Sequence, residues 1–273
     1  NIFEPVKFIK KSAFRGCINL KKIIIPSPVP SIGKSTFRGC ANLIEITIPS
    51  SVVLIDKDAF RGCHSLKHIT IPDSVTTFGK SVFRGCFALE EIKLSKQLTA
   101  ILKCTFRALP VLKEITIPPA VTLIGETSFE KCSILTEITI PPSVESIEKK
   151  AFRGCFLLEK VTIDPYKTKN IVSNAFQECN NLKHFIISTE EESIHSFDAE
   201  PFKIISRITI LPNPKSIEAN SFGNFIHLKE ISIPSTVEII KKDAFVNCVS
   251  LSQIEFDPYS TTIENEAFKD CTE

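Results

Sequence analysis

Residues 60–82 read FRGCHSLKHITIPDSVTTFGKSV, and the fold follows from that stretch. In LKHITI the apolar Leu66, Ile69 and Ile71 alternate with Lys67, His68 and Thr70, which is the period of a short strand buried on one face. Pro72 has no N–H to give and ends the ladder. Val75 and Phe78 then turn inward along an extended return, and Gly79 allows a bend. A short helical turn over 81–85 is predicted to carry Phe83 and Cys86 into the core.

The same frame recurs along the chain. Phe14, Phe37, Phe60, Phe83, Phe106, Phe129 and Phe152 lie 23 residues apart; Phe176 follows after 24, and Phe222, Phe245 and Phe268 resume the count. A leucine stands six residues after most of them, from Leu20 and Leu43 to Leu228 and Leu251. Self-similarity at this period marks a solenoid, whose units bury their apolar faces only against each other. The expected class is an α/β solenoid of about twelve repeats spanning 1–273, with one parallel sheet on one face and short helical turns opposite.

The pattern L-x-x-I-x-I-P-x-x-V-x-x-I-x-x-x-A-F-x-x-C resembles the BspA-like leucine-rich repeat, also called the Treponema pallidum type, over essentially the whole chain. The chain departs from commoner leucine-rich repeats after the strand, where serine or proline replaces their asparagine, as at Ser51, Ser74 and Ser143. The resemblance implies a right-handed superhelix and a cell-surface or secreted adhesin that binds host or extracellular-matrix macromolecules. An intracellular protein–protein scaffold of the same fold is the alternative. Ile2 sits at a strand position and Cys271 lacks its following leucine, so the chain reads as an excerpt without either cap.

The period slips once, near 188–205. Ala199 stands where phenylalanine is due, Phe202 takes the cysteine position and Ile205 the leucine position, an exchange of volumes that a close-packed core tolerates. The neighbouring Glu190–Glu192 run reads as a solvated turn.

Nine of ten cysteines (Cys17, Cys40, Cys63, Cys86, Cys132, Cys155, Cys179, Cys248 and Cys271) hold one repeat position, which elsewhere carries Leu109, Phe202 and Phe225. A site that accepts leucine and phenylalanine is apolar, so these are expected to be buried thiols, neither disulfides nor ligands. Cys104 lies two before Phe106, where other copies carry Ser35, Asp58 and Lys150, and is the candidate exposed thiol.

Three surfaces could bind. The outward strand positions form a threonine column (Thr47, Thr70, Thr116, Thr139, Thr162, Thr209), which serves sheet formation first. Beside it runs a charged column: Lys22, Glu45, His68, Glu91, Glu114, Glu137, Lys160, His184, Arg207 and Glu230, the candidate binding surface. Its consecutive Glu91, Glu114 and Glu137 would stand close enough to repel. A second stripe follows each phenylalanine, Arg15, Arg38, Arg61, Arg84, Arg107 and Arg153, and could grip a polyanion such as a sulfated glycan. Nucleic acid is disfavoured because no aromatic interleaves with that stripe and tryptophan is absent. The two tyrosines, Tyr166 and Tyr259, occupy matching Asp-Pro-Tyr loops and are candidate contacts.

Net charge is +2, but residues 1–155 hold 22 Lys/Arg against 13 Asp/Glu while the remainder holds 11 against 18, a +9 and a −7 half. The basic half would draw acidic partners with a salt-dependent rate if the asymmetry is used. Apolar runs are too short to span a membrane. The five histidines converge on no site, and no phosphate loop, HExxH, GxSxG or CxxC is present, so neither enzyme nor cofactor is expected.

Overall fold

Each repeat closes into one coil in the computed structural model, whose described residues are 6–197, 200–202 and 204–272. Ile2 and Ala199 lie outside them. The chain divides into two compact units, Asn1–Leu158 with Asn170–Asn180, and Glu159–Lys169 with Asn181–Glu273.

The coil of Phe60 and Phe83 shows the logic. Strand His68–Thr70 buries Ile69 and exposes its neighbours. A turn closed by Val75 N–H to the Pro72 carbonyl at 3.0 Å leads to the return strand Thr77–Phe78, which buries Phe78. Consecutive coils pair in parallel with equal positions opposite each other, as His68 with Glu91 and Ile69 with Ile92. Serine after the strand closes the corner: Ser51, Ser74 and Ser143 each donate from Oγ to a valine carbonyl one coil earlier, at 2.7–2.9 Å. That cross-coil bond serves the site where commoner repeats place asparagine.

The architecture corrects two expectations. The return segments form a parallel ladder of their own, so the coil carries two sheets. In the first unit Ser31–Ile32, Leu54–Ile55 and Thr77–Phe78 form one ladder and Ala100–Ile101, Leu123–Ile124, Ser146–Ile147 and Asn170–Ile171 another. On the strand face of this unit, Lys22–Ile24 pairs with Glu45–Thr47 and His68–Thr70 with Glu91–Lys93, with a break between these pairs. Residues 113–118 form no strand. In the second unit Lys160–Ile163, His184–Thr189, Arg207–Pro212, Glu230–Ser232 and Gln253–Glu255 pair without interruption.

The second correction concerns the expected helical turns. Among the described residues the helical elements reduce to one 3-10 segment, Glu200–Phe202. A helix spends its N–H groups internally. Here they alternate: Thr36, Arg38 and Cys40 donate three residues back, while Ser35, Phe37 and Gly39 donate to Lys57, Ala59 and Arg61 of the next coil, each at 2.9 Å. The alternation needs left-handed backbone, at Ser35 (φ 58°) and Gly39 (φ 75°). Glycine in FRGC answers that need. Gly79, by contrast, sits where an added Cβ would lie 2.6 Å from the Asp56 carbonyl carbon, so it permits close approach rather than the bend expected of it.

The cross-coil bonds stack the phenylalanines. From Phe14 to Phe176 in the first unit successive ring centroids lie 5.0–5.9 Å apart. In the second unit Phe222, Phe245 and Phe268 stack at 5.0 and 4.8 Å. The irregular coil there is filled by other aromatics. Phe202 is fully buried and stacks on Phe185 at 4.4 Å, and Phe197 lies 5.8–6.3 Å from Phe185, Phe222 and Phe225.

Candidate interaction surfaces

The charged column is exposed in the first unit and half-buried at Lys160, His184 and Glu230 in the second, and its neighbours partly neutralise each other. Lys22 pairs with Glu45 at 2.7 Å, His68 with Glu91 at 3.5 Å, and in the second unit Arg207 with Glu230 at 2.7 Å. In-register stacking dictates this: residues 23 apart stand one strand spacing from each other, within ion-pair reach. Glu114 lies in the coil without a strand, so Glu91, Glu114 and Glu137 do not share a continuous sheet. His184 turns to the threonine column instead, with Nε2 2.9 Å from Thr209 Oγ1. Its partial burial, with Arg207 and Lys160 close by, lowers its pKa. Where Glu45–Thr47 and His68–Thr70 fail to pair, a shallow groove opens, lined by Ile46, Ile48, His68, Thr70 and Pro72.

The arginine stripe splits in two. Arg38 and Arg61 both reach the buried Asp58, at 3.9 and 3.4 Å, and keep about a third of their side-chain surface (35% and 34%) in solvent. Arg15 and Arg84 have no carboxylate within 4.0 Å among the described residues. Further on the stripe alternates with acids: Arg107 to Glu130 at 2.9 Å, Arg153 to Glu130 at 3.8 Å and to Glu178 at 2.7 Å. Six arginines thus reduce to a basic run of four with one carboxylate and a neutralised pair.

Aromatic side chains do stand beside the basic run, contrary to the sequence expectation. His64 and Phe87, four residues after their phenylalanines, stack at 5.0 Å and 15°, and Phe87 is half exposed. The tip of each ring lies over the glycine that follows an arginine: Nε2 of His64 comes 3.7 Å from a Cβ built at Gly62, and the Phe87 ring 3.8 Å from one at Gly85.

The thiols need one addition and two corrections. Cys40, Cys63, Cys86, Cys132, Cys155, Cys179 and Cys248 are buried, and each Sγ donates to a phenylalanine carbonyl one coil earlier at 3.0–3.3 Å. Burial pushes Cys86, Cys132 and Cys248 up to about 12. Cys104 is buried, not exposed: its position takes left-handed backbone (φ 59°), and its sulfur turns onto Thr127 Oγ1 at 3.1 Å. The accessible thiol is Cys17, with Cys271 half-buried, both in coils covered on one side alone among the described residues.

The tyrosine loops are not equivalent. Both close an Asx turn, Tyr166 N–H to Asp164 and Tyr259 N–H to Asp257, at 2.9 and 3.0 Å. Tyr166 is pinned: its hydroxyl donates to the His195 carbonyl at 2.7 Å and accepts from the His195 N–H at 2.8 Å, and its ring meets Phe197 edge-on. That makes Tyr166 part of the irregular coil rather than a free contact. Tyr259 is 97% exposed. The Glu190–Glu192 turn is solvated and carries ion pairs from Glu191 to Lys167 and from Glu192 to Lys215.

Among the described residues no group of three or more histidines, cysteines or carboxylates could hold a metal, and no helix is long and apolar enough to cross a membrane.

Six copies of the BspA type leucine-rich repeat region match the chain, over residues 1–110, 103–206 and 202–273. The chain belongs to the BspA-type leucine-rich-repeat family. No curated protein matches it. Among solved structures, this BspA-type chain is similar to a leucine-rich cell surface protein from Faecalibacterium prausnitzii, at 28% identity over 92% of this chain and 76% of that one, with a TM-score of 0.50. A leucine-rich repeat protein from Bacteroides ovatus is 28% identical over 97% of this chain and 80% of its own, TM-score 0.47. The T. pallidum leucine-rich repeat protein is 26% identical over 67% and 74%, TM-score 0.45.

Proposed function

We propose that this chain is the binding scaffold of a cell-surface or secreted adhesin that recognises a host or matrix macromolecule. The observation that carries it is the contrast between core and face. Buried positions repeat almost unchanged from coil to coil, while the outward column varies in sign and size within each unit, from Lys22 and Glu45 through His68 to Glu91 in the first and from Lys160 through His184 and Arg207 to Glu230 in the second. A rigid frame that holds variable side chains in register is suited to recognising an extended partner. The likeness to the F. prausnitzii cell surface protein supports the compartment. Unpaired thiols at all ten cysteines also suit a reducing compartment, which favours the rival intracellular scaffold. Solid-phase binding to a panel of matrix proteins tests the adhesin reading. Retention that His68→Ala with Glu91→Ala weakens supports it, and no retention of the parent chain by any matrix protein argues against it.

A further inference from the structure

We infer that the edge carrying Arg15, Arg38, Arg61 and Arg84, with the His64–Phe87 pair, is a binding site for a sulfated glycan. This deepens the reading above by naming a ligand class, and it rests on the first unit serving as a ligand surface.

Charge is the first argument. Four arginines stand one per coil, their backbones held in line by the cross-coil bonds Gly16 N–H to Arg38 O, Gly39 N–H to Arg61 O and Gly62 N–H to Arg84 O at 2.9–3.0 Å. The adjoining Phe14, Phe37, Phe60 and Phe83 stack with ring centroids 5.3–5.5 Å apart, one ring per coil. Asp58 is the one carboxylate in ion-pair reach of the file among the described residues, and it is buried. A regularly spaced run of under-compensated arginines complements a chain that carries oxyanions at intervals, and guanidinium forks bind such groups through paired N–H donors.

The aromatic pair selects within the polyanions. A single-stranded nucleic acid binds by laying bases on free aromatic faces. His64 and Phe87 each turn one face to the other and rest the ring tip on Gly62 or Gly85, which leaves less open ring face for a base. Ring edges carry the positive end of the quadrupole and favour oxygen. The remaining edges of this exposed pair, on the same corners as Arg61 and Arg84, suit sulfate and hydroxyl oxygens.

The test is retention of the whole chain on immobilised heparin, with a desulfated heparin and a single-stranded RNA as competitors. Arg15→Ser with Arg84→Ser is the decisive variant, since neither residue supports a buried carboxylate. It should weaken binding about ten-fold or more. His64→Ala with Phe87→Ala should weaken it several-fold, and Arg107→Ser should leave it unchanged. Desulfated heparin should not compete. Retention indifferent to the Arg15/Arg84 and His64/Phe87 changes would overturn the site, and stronger competition by RNA would overturn the glycan assignment. Failure of the parent chain to bind heparin would remove this inference, while binding to a matrix protein through His68 and Glu91 would still stand.

Discussion

The thiol of Cys86 donates to the carbonyl oxygen of Phe60, 3.1 Å away on the preceding coil. That oxygen already accepts the N–H of Cys63 at 3.1 Å, so the thiol supplies its second bond. Cysteine here is a donor as well as a small apolar filler, which explains its recurrence over alanine.

Replacing Cys86 by alanine therefore removes both a bond and volume. The expected loss is about 1–3 kcal/mol in urea unfolding. Cys17→Ala, at an exposed site, should change stability by less than about 0.5 kcal/mol. Equal effects at the two sites would refute the donor role.

Thiol labelling of the native chain should be equally selective. Cys17 should react first and Cys271 next, with the buried eight following only on unfolding. Burial holds Cys86, Cys132 and Cys248 in the unreactive thiol form. Fast reaction of Cys104 in the folded chain would contradict the packing of its sulfur against Thr127.

Left-handed backbone gives a two-way test. Gly62 has φ 75°, a left-handed backbone that an L side chain strains; Gly62→Ala should cost about 1–2 kcal/mol. Ala108 takes φ 60° at the equivalent place, and Ala108→Gly should gain a few tenths to about 1 kcal/mol. A thermal scan that ranks both changes the same way would disprove the equivalence.

His184 sets a pH dependence. Burial, then Arg207 and Lys160, lower its pKa from the ordinary 6.5. The unfolded chain therefore takes the proton more readily, so this stability is intact above about 6.5 and is lost as pH falls through the depressed folded value. Urea midpoints should drop over that window, and His184→Gln should flatten the drop. A parent midpoint constant from pH 7 to 5 would contradict it.

The sequence disclosed the coil, because a 23-residue period places Phe60, Cys63, Leu66, Ile69 and Ile71 on the inside without reference to any distant contact. It did not disclose how the FRGC corner is bonded. The expected helical turn and the observed alternating turn share the same spacing of Phe83 and Cys86, and only the left-handed φ at Ser81 and Gly85 distinguishes them. Gly85 was the available clue. Cys104 is buried for the same reason: the polar residues that suggest exposure at its position, Ser35 and Asp58, are themselves buried and share left-handed backbone. The candidate surfaces were legible as columns, but their neutralisation only in part. Arg153 and Glu178 are 25 residues apart and sit at different offsets from their phenylalanines, whereas Glu130 takes the arginine's own place one after Phe129, 23 residues from Arg107, and was open to view in the period. The Tyr166 hydroxyl meets a backbone 29 residues away in the irregular coil, which no period announces.

The most direct measurement is staining of intact, unpermeabilised cells that make this protein with an antibody raised against this chain. Surface signal that brief trypsin treatment removes is the predicted result for an adhesin scaffold. Signal that appears only after permeabilisation would contradict it and point to intracellular partners.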